Sequence, residues 1–112
     1  ELLISHGESG LQPLTLFKYN SEEKRSFLRI RPLNMHGAPA RGATVTLITN
    51  KRKHSKTIDA GSGYLCQMEP VAHYGIRENE TEFKFKVKWT NGDEDSFDVK
   101  NLNETIIVRQ SK

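Results

Sequence analysis

The stretch that most restricts what this chain can fold into is residues 83–99, FKFKVKWTNGDEDSFDV. Phe83, Phe85, Val87 and Trp89 alternate with Lys84, Lys86 and Lys88. That period of two puts four large apolar side chains on one face of a strand and three ammonium groups on the other. Asn91-Gly92 follows, a dipeptide whose tolerance of positive φ suits the tight turn of a hairpin. Phe97 and Val99 then resume the alternation on a returning strand. A hairpin with one apolar face needs covering, so the rest of the chain has to supply a second apolar layer.

The remaining sequence reads as short strands separated by turns. Strands are expected over 2–4, 14–19, 27–31, 43–49, 56–59, 64–68 and 105–109, with Pro32 ending the pairing of the third. Between them lie a turn at 6–10, a charged loop at 20–25, a glycine- and proline-containing loop at 34–42, a basic turn at 50–55 and a tight loop at 60–63. An irregular stretch is expected at 70–75 and an acidic turn at 78–82. No segment repeats apolar residues at i, i+3, i+4 and i+7 over ten positions, so no helix of consequence is predicted. The fold class is all-β, an antiparallel β-sandwich of about seven to nine short strands. At 112 residues the chain is one domain, 1–112, large enough for a single core. With 35% hydrophobic and 28% charged residues it is on the polar side, but five Phe, three Tyr and one Trp argue for a packed interior. The run Leu2-Leu3-Ile4 is too short for a signal peptide or a span, and no membrane insertion is expected. The chain opens on Glu1 without a methionine and reads as a fragment of a longer protein.

Catalytic and metal chemistry find little support. Gly61-Ser62-Gly63 has no helix after it to cradle a phosphate. His6, His36, His54 and His73 never fall at i, i+2 or i+4 from each other or from Cys66, so no metal-ligand spacing is present. Cys66 and His73 make the one conceivable nucleophilic pair. Cys66, however, sits in the alternating run 64–68, where a cysteine reads as a packing residue. Asp93-Glu94-Asp95 lacks the glycine and terminal glutamate spacing of a calcium loop and reads as a solvated turn. No catalytic residue, no metal site and no cofactor are expected.

Two basic features stand out against a formal charge of only +3. Lys51, Arg52, Lys53 and Lys56 cluster on what reads as a hairpin tip, and Lys84, Lys86 and Lys88 form a solvent-facing row. Their ordinary role is solubility and protection of strand edges. The sharper alternative is an anion-binding surface for a sulfated glycosaminoglycan, whose affinity would fall as salt rises. Nucleic acid is disfavoured, because the aromatics that alternate with the lysines face the core and leave no stacking platform. Asn79-Glu80-Thr81 and Asn103-Glu104-Thr105 are N-glycosylation sequons in expected turns, which favours secretion.

The runs GAPARGATVTLIT (37–49), DAGSGYLCQMEPVAHYGI (59–76) and FKVKWTNGD (85–93) resemble the ASPIC/UnbV domain as it occurs in the cartilage acidic protein family. SHGESGLQPLTLFK (5–18) extends the resemblance over nearly the whole chain. Departures occur at Arg25-Ser26-Phe27, where the family has an asparagine-tryptophan pair. Tyr74-Gly75-Ile76-Arg77 stands in place of Phe-Gly-Leu-Gly, and Trp89-Thr90-Asn91-Gly92 in place of Trp-Pro-Asp-Gly. They keep the apolar and turn character. The resemblance implies a β-rich module after an FG-GAP propeller and before an epidermal-growth-factor-like module, in secreted, matrix-associated or cell-surface proteins. In neural tissue it implies receptor binding, and it supplies no established catalytic residue. The expectation is a non-catalytic extracellular module of a secreted glycoprotein, packing on the propeller of its own chain and contributing to protein or receptor binding and cell adhesion. A sulfated-glycan module is the alternative, and an enzyme built on Cys66 and His73 the third reading.

Overall fold

The computed structural model describes residues 1–7, 10–20, 25–63 and 65–111. It contains nine strands and, among the described residues, no helix: β1 (Leu2–Ile4), β2 (Thr15–Phe17), β3 (Ser26–Leu33), β4 (Thr44–Ile48), β5 (Lys53–Thr57), β6 (Ala72–Ile76), β7 (Lys84–Lys88), β8 (Glu94–Asp98) and β9 (Thr105–Arg109). They form a four-stranded sheet in the order β5-β4-β7-β8, a three-stranded sheet in the order β6-β3-β9, and a separate β1-β2 ribbon. The two larger sheets face each other in an all-β sandwich. The shortest extent of the molecule is 19 Å, as expected of two sheets about 10 Å apart with their outer side chains.

The alternation in β7 delivers what it promised. Phe85, Val87 and Trp89 are buried, and Lys84, Lys86 and Lys88 are exposed. Phe85 is opposite Phe97 of β8 and stacks on it, with ring centroids 5.0 Å apart. Val45 and Leu47 of β4 complete that layer. Leu28 and Ile30 of β3, Ala72, Tyr74 and Ile76 of β6 and Val108 of β9 form the facing one. Tyr74 crosses between the layers. Its hydroxyl donates to the Val45 carbonyl at 2.7 Å, and burial pushes its pKa up, so the donor proton is held. The indole N–H of Trp89 donates to Asp95 Oδ2 at 2.7 Å. In the β7–β8 turn the Gly92 N–H donates to the Trp89 carbonyl, with Gly92 alone at positive φ (96°). The turn is therefore centred on Thr90-Asn91 with glycine in the following left-handed position, a longer loop than a two-residue Asn-Gly hairpin.

Several local expectations are corrected. The stretch 70–75, expected to be irregular, contains most of β6. Ala72, Tyr74 and Ile76 point inward, while His73 and Gly75 between them are poor strand formers that hide the signal. No strand forms over the described part of 64–68. Leu65 has φ 54° and is exposed, and Cys66 is exposed in a loop rather than packed. β5 begins at Lys53, inside the expected basic turn. The sandwich is not wholly antiparallel, because β9 runs parallel to β3. Pro32 does not end β3. It pairs with Val108 of β9, while on the other side, beyond the end of β6, the Pro32 carbonyl accepts the Ala40 N–H. Glu8 and Ser9 of the expected first turn, residues 21–24 of the charged loop and Tyr64 lie outside the described residues.

Phe85→Ala empties the centre of the core and is expected to cost about 3–5 kcal/mol. Lys86→Ala on the opposite face of the same strand should change stability by less than about 0.5 kcal/mol. Chemical denaturation of the two variants checks both values.

Candidate functional site

The basic run at the β4–β5 tip is divided in its contacts. Lys51 and Lys53 are exposed, whereas Arg52 and Lys56 are half-buried and reach across to β6. β6 is an edge strand, and the carbonyls of His73 and Gly75 on its unpaired side need donors. Lys56 Nζ donates to the His73 carbonyl at 2.5 Å and sits 5.2 Å from the Tyr74 ring centroid. Arg52 Nη2 donates to the Gly75 carbonyl at 2.6 Å, and its Nε donates to Glu80 Oε1 at 2.5 Å. Glu80 is buried, and burial acts to raise its pKa. The Arg77 backbone N–H and the Arg52 guanidinium outweigh that and hold the carboxyl below the usual carboxylate range. Two of the four tip cations thus join the sheets of their own molecule.

The lysine row gains a neighbour instead. In the four-stranded sheet Lys53 pairs with Ile48, which pairs with Lys84; Ser55, Thr46 and Lys86 follow in the next row, and Thr57, Thr44 and Lys88 in the third. Lys53, Lys84, Lys86 and Lys88 therefore share one outer face among hydroxyls, with Thr46 and Ser55 hydrogen-bonded to each other at 2.8 Å. On the β8 side Asp98 and Glu94 stand opposite Lys84 and Lys88. The Lys84–Asp98 pair is 4.0 Å apart and exposed, so solvent leaves it little strength. Of the three β7 lysines, Lys86, opposite Ser96, is the one with no carboxylate directly across from it on β8.

The acceptor asparagines of the two sequons, Asn79 and Asn103, are both exposed. Asn79 lies in a turn on the wall of a groove of about 790 Å3 that also includes Ile76, Arg77 and Leu102. Asn103 sits at φ 60°, and its Oδ1 accepts the Phe27 N–H at 3.0 Å, an atom that glycan attachment at Nδ2 leaves in place. No hydrogen bond or ring contact joins Cys66 to His73 among the described residues; the His73 ring stacks on Phe27, with centroids 5.9 Å apart. Asp93 and Asn91 bond each other in the turn, and Asp95 accepts from Trp89. Among the described residues no group of three His, Cys, Asp or Glu side chains is placed to hold a metal ion.

A second outer face also carries cations. On the three-stranded sheet Arg29 is opposite His73 on one side and Thr105 on the other, Arg31 is opposite Ile107, and Leu33 is opposite Arg109. Phe27, Arg29, Arg31, His73, Ile107 and Arg109 therefore lie on one side of the sheet, with Ile107 62% exposed. Arg29 pairs with Glu69 through Nη2, and Arg109 Nη2 donates to the Met35 carbonyl at 2.8 Å. The signal was the alternation of Leu28 and Ile30 with Arg29 and Arg31, which identifies the outward row but not its neighbours.

The family model described as ASPIC and UnbV matches residues 34–112. Over 93 residues the chain is 48% identical to cartilage acidic protein 1 of Xenopus tropicalis and 47% identical to the proteins of that name from Homo sapiens and Mus musculus. Each match covers 82% of this chain and 14% of the relative, so the chain spans a small part of the length of the curated relatives it matches.

Glu80→Gln removes the charge that Arg52 meets and is expected to cost about 1.5–3 kcal/mol near neutral pH, the range for hydrogen bonds to charged groups. The Glu80 pKa is lower folded than unfolded. Its contribution is therefore complete above the unfolded value, near 4.5, and is lost as pH falls through the folded one. Denaturation of wild type and Glu80→Gln from pH 7 down to pH 3 should show the two stabilities converging at the acid end.

Proposed function

The chain belongs to the ASPIC and UnbV family, and from that membership we propose that it is a non-catalytic interaction and structural module of a secreted, matrix-associated protein. In this reading it packs on an adjacent propeller domain of its own polypeptide and contributes to protein or receptor binding. One observation carries the packing. The β1-β2 ribbon pairs Leu2 with Phe17 and Leu3 with Leu16, yet all four are more than half exposed. A two-stranded ribbon with apolar side chains on both faces is at best marginally stable in water, and its exposed surface favours a covering neighbour. Charge supports the same reading. This segment carries a net +3, whereas the relatives are named acidic proteins, so the acidic excess that the name states would lie outside a segment like this one. The exposed sequon asparagines Asn79 and Asn103 support passage through the secretory pathway.

The glycan-binding alternative draws on the outer face that brings Lys53 into line with Lys84, Lys86 and Lys88. Arg52 and Lys56 contribute less to it, being turned to β6. A sulfated chain lying along β7 would meet an ammonium group at every second residue, about 7 Å apart.

Packing predicts that deleting residues 1–112 from the full-length polypeptide lowers the melting temperature of what remains. A loss of only 1 kcal/mol moves a domain of 150–250 residues by about 2–4 °C. An unchanged melting temperature, read by calorimetry, would refute the packing. For the alternative, retention of the full-length protein on immobilised heparin is compared with that of the Lys53, Lys84, Lys86 and Lys88→Ala variant. The favoured reading expects both to elute at or below about 0.15 M salt. Wild type held well beyond that point, with the variant released early, would instead establish the glycan site.

A further inference from the structure

The two outer faces of the sandwich differ in kind. Apart from the half-buried Ile48, the four-stranded sheet presents Lys, Thr, Ser, Asp and Glu, residue types that solvate a surface and, for Lys, Glu, Asp and Ser, are depleted in protein interfaces. The three-stranded sheet presents Phe27, Arg29, Arg31, His73, Ile107 and Arg109. Arginine and aromatic side chains are what interfaces are enriched in, because the planar guanidinium is weakly hydrated and can grip a carboxylate through two parallel hydrogen bonds. The apolar members are not scattered. Ile107 lies directly beside Arg31, and Phe27 stacks on His73 next to Arg29.

We propose that this face of the three-stranded sheet, through Arg29, Arg31 and Arg109 around Ile107 and Phe27, docks the module onto a carboxylate-bearing surface of the adjoining domain of its own polypeptide. The proposal rests on the packing reading above and names the face and the chemistry that do it. Charge complementarity selects the partner. The outward positions of β3, β6 and β9 carry three arginines and no Asp or Glu, and the exposed Glu69 beside them already engages Arg29 as a partner's carboxylate would. Arg31 and Ile107 are exposed at the middle of the parallel β3-β9 pair, so an apolar contact at Ile107 would be ringed by charge. That is the arrangement in which a desolvated anchor is shielded by surrounding polar contacts.

The test is side-chain footprinting of the full-length protein, read by mass spectrometry. Phenylglyoxal reports on arginines and an acetylating reagent on lysines. Docking predicts that Arg31 and Arg109 react at least tenfold more slowly than the exposed Arg77, while Lys84, Lys86 and Lys88 react as fast as Lys51. Arg31→Glu, at an exposed position outside the core, should restore Arg109 to the Arg77 rate. If Arg31 and Arg109 react freely while the β1-β2 ribbon or the lysine face is protected from exchange or labelling, the module docks by another surface. The inference then fails and the packing reading stands. If every face reacts freely, both fail. Protection of Arg109 that survives Arg31→Glu would overturn the role of charge.

Discussion

The open edge of β6 is the constraint on which the rest of this structure depends. Three consecutive residues there are tied to the opposite sheet by side chains: the His73 carbonyl by Lys56, the Tyr74 hydroxyl by the Val45 carbonyl, and the Gly75 carbonyl by Arg52. A sandwich of this size has little core to spare, and an unpaired edge would leave backbone acceptors to water and to other chains. Closing it with Lys56 of β5 and Arg52 of the turn before it aligns the sheets and brings Glu80 under Arg52. The cost is that a basic cluster, which in sequence looks available to ligands, is partly consumed in doing so.

That substitution of roles explains what could and could not be read from residues alone. The period-two pattern of β7 gave both its faces correctly, since burial on one side of a strand leaves a direct trace. The sandwich class followed from the number of such strands, and the ASPIC and UnbV family from the runs around them. β6 was missed because its inward residues, Ala72, Tyr74 and Ile76, alternate with a histidine and a glycine. The run 64–68 misled in the opposite sense, with alternating apolar residues that end in an exposed loop. The division of the tip cations was invisible because it depends on Gly75 and Glu80, which are 23 and 28 residues away from Arg52.

The outer faces carry a related lesson about arginine and lysine. Both sheets show alternating cations in sequence, Arg29 and Arg31 in one and Lys84, Lys86 and Lys88 in the other. Only pairing reveals that the lysines have, Ile48 apart, hydroxyls and carboxylates across from them, while the arginines have Ile107, His73 and Thr105. Equal charge on two strands thus belongs to two different surfaces, one suited to water and one to a partner.

The parallel pairing of β3 with β9 has a kinetic side. Arg29 meets Thr105 and Leu33 meets Arg109, so this contact spans 76 residues. Such a closure gains nothing until the intervening chain has been ordered, which places this fold among slow-forming, high-contact-order topologies. During synthesis β3 leaves the ribosome long before its partner. Until β9 arrives, Leu28, Ile30 and Pro32 belong to a strand with one edge open, and the four-stranded sheet lacks a finished lid. The nascent module is then at its most aggregation-prone, a vulnerability decided by chain order rather than by the stability of the finished sandwich.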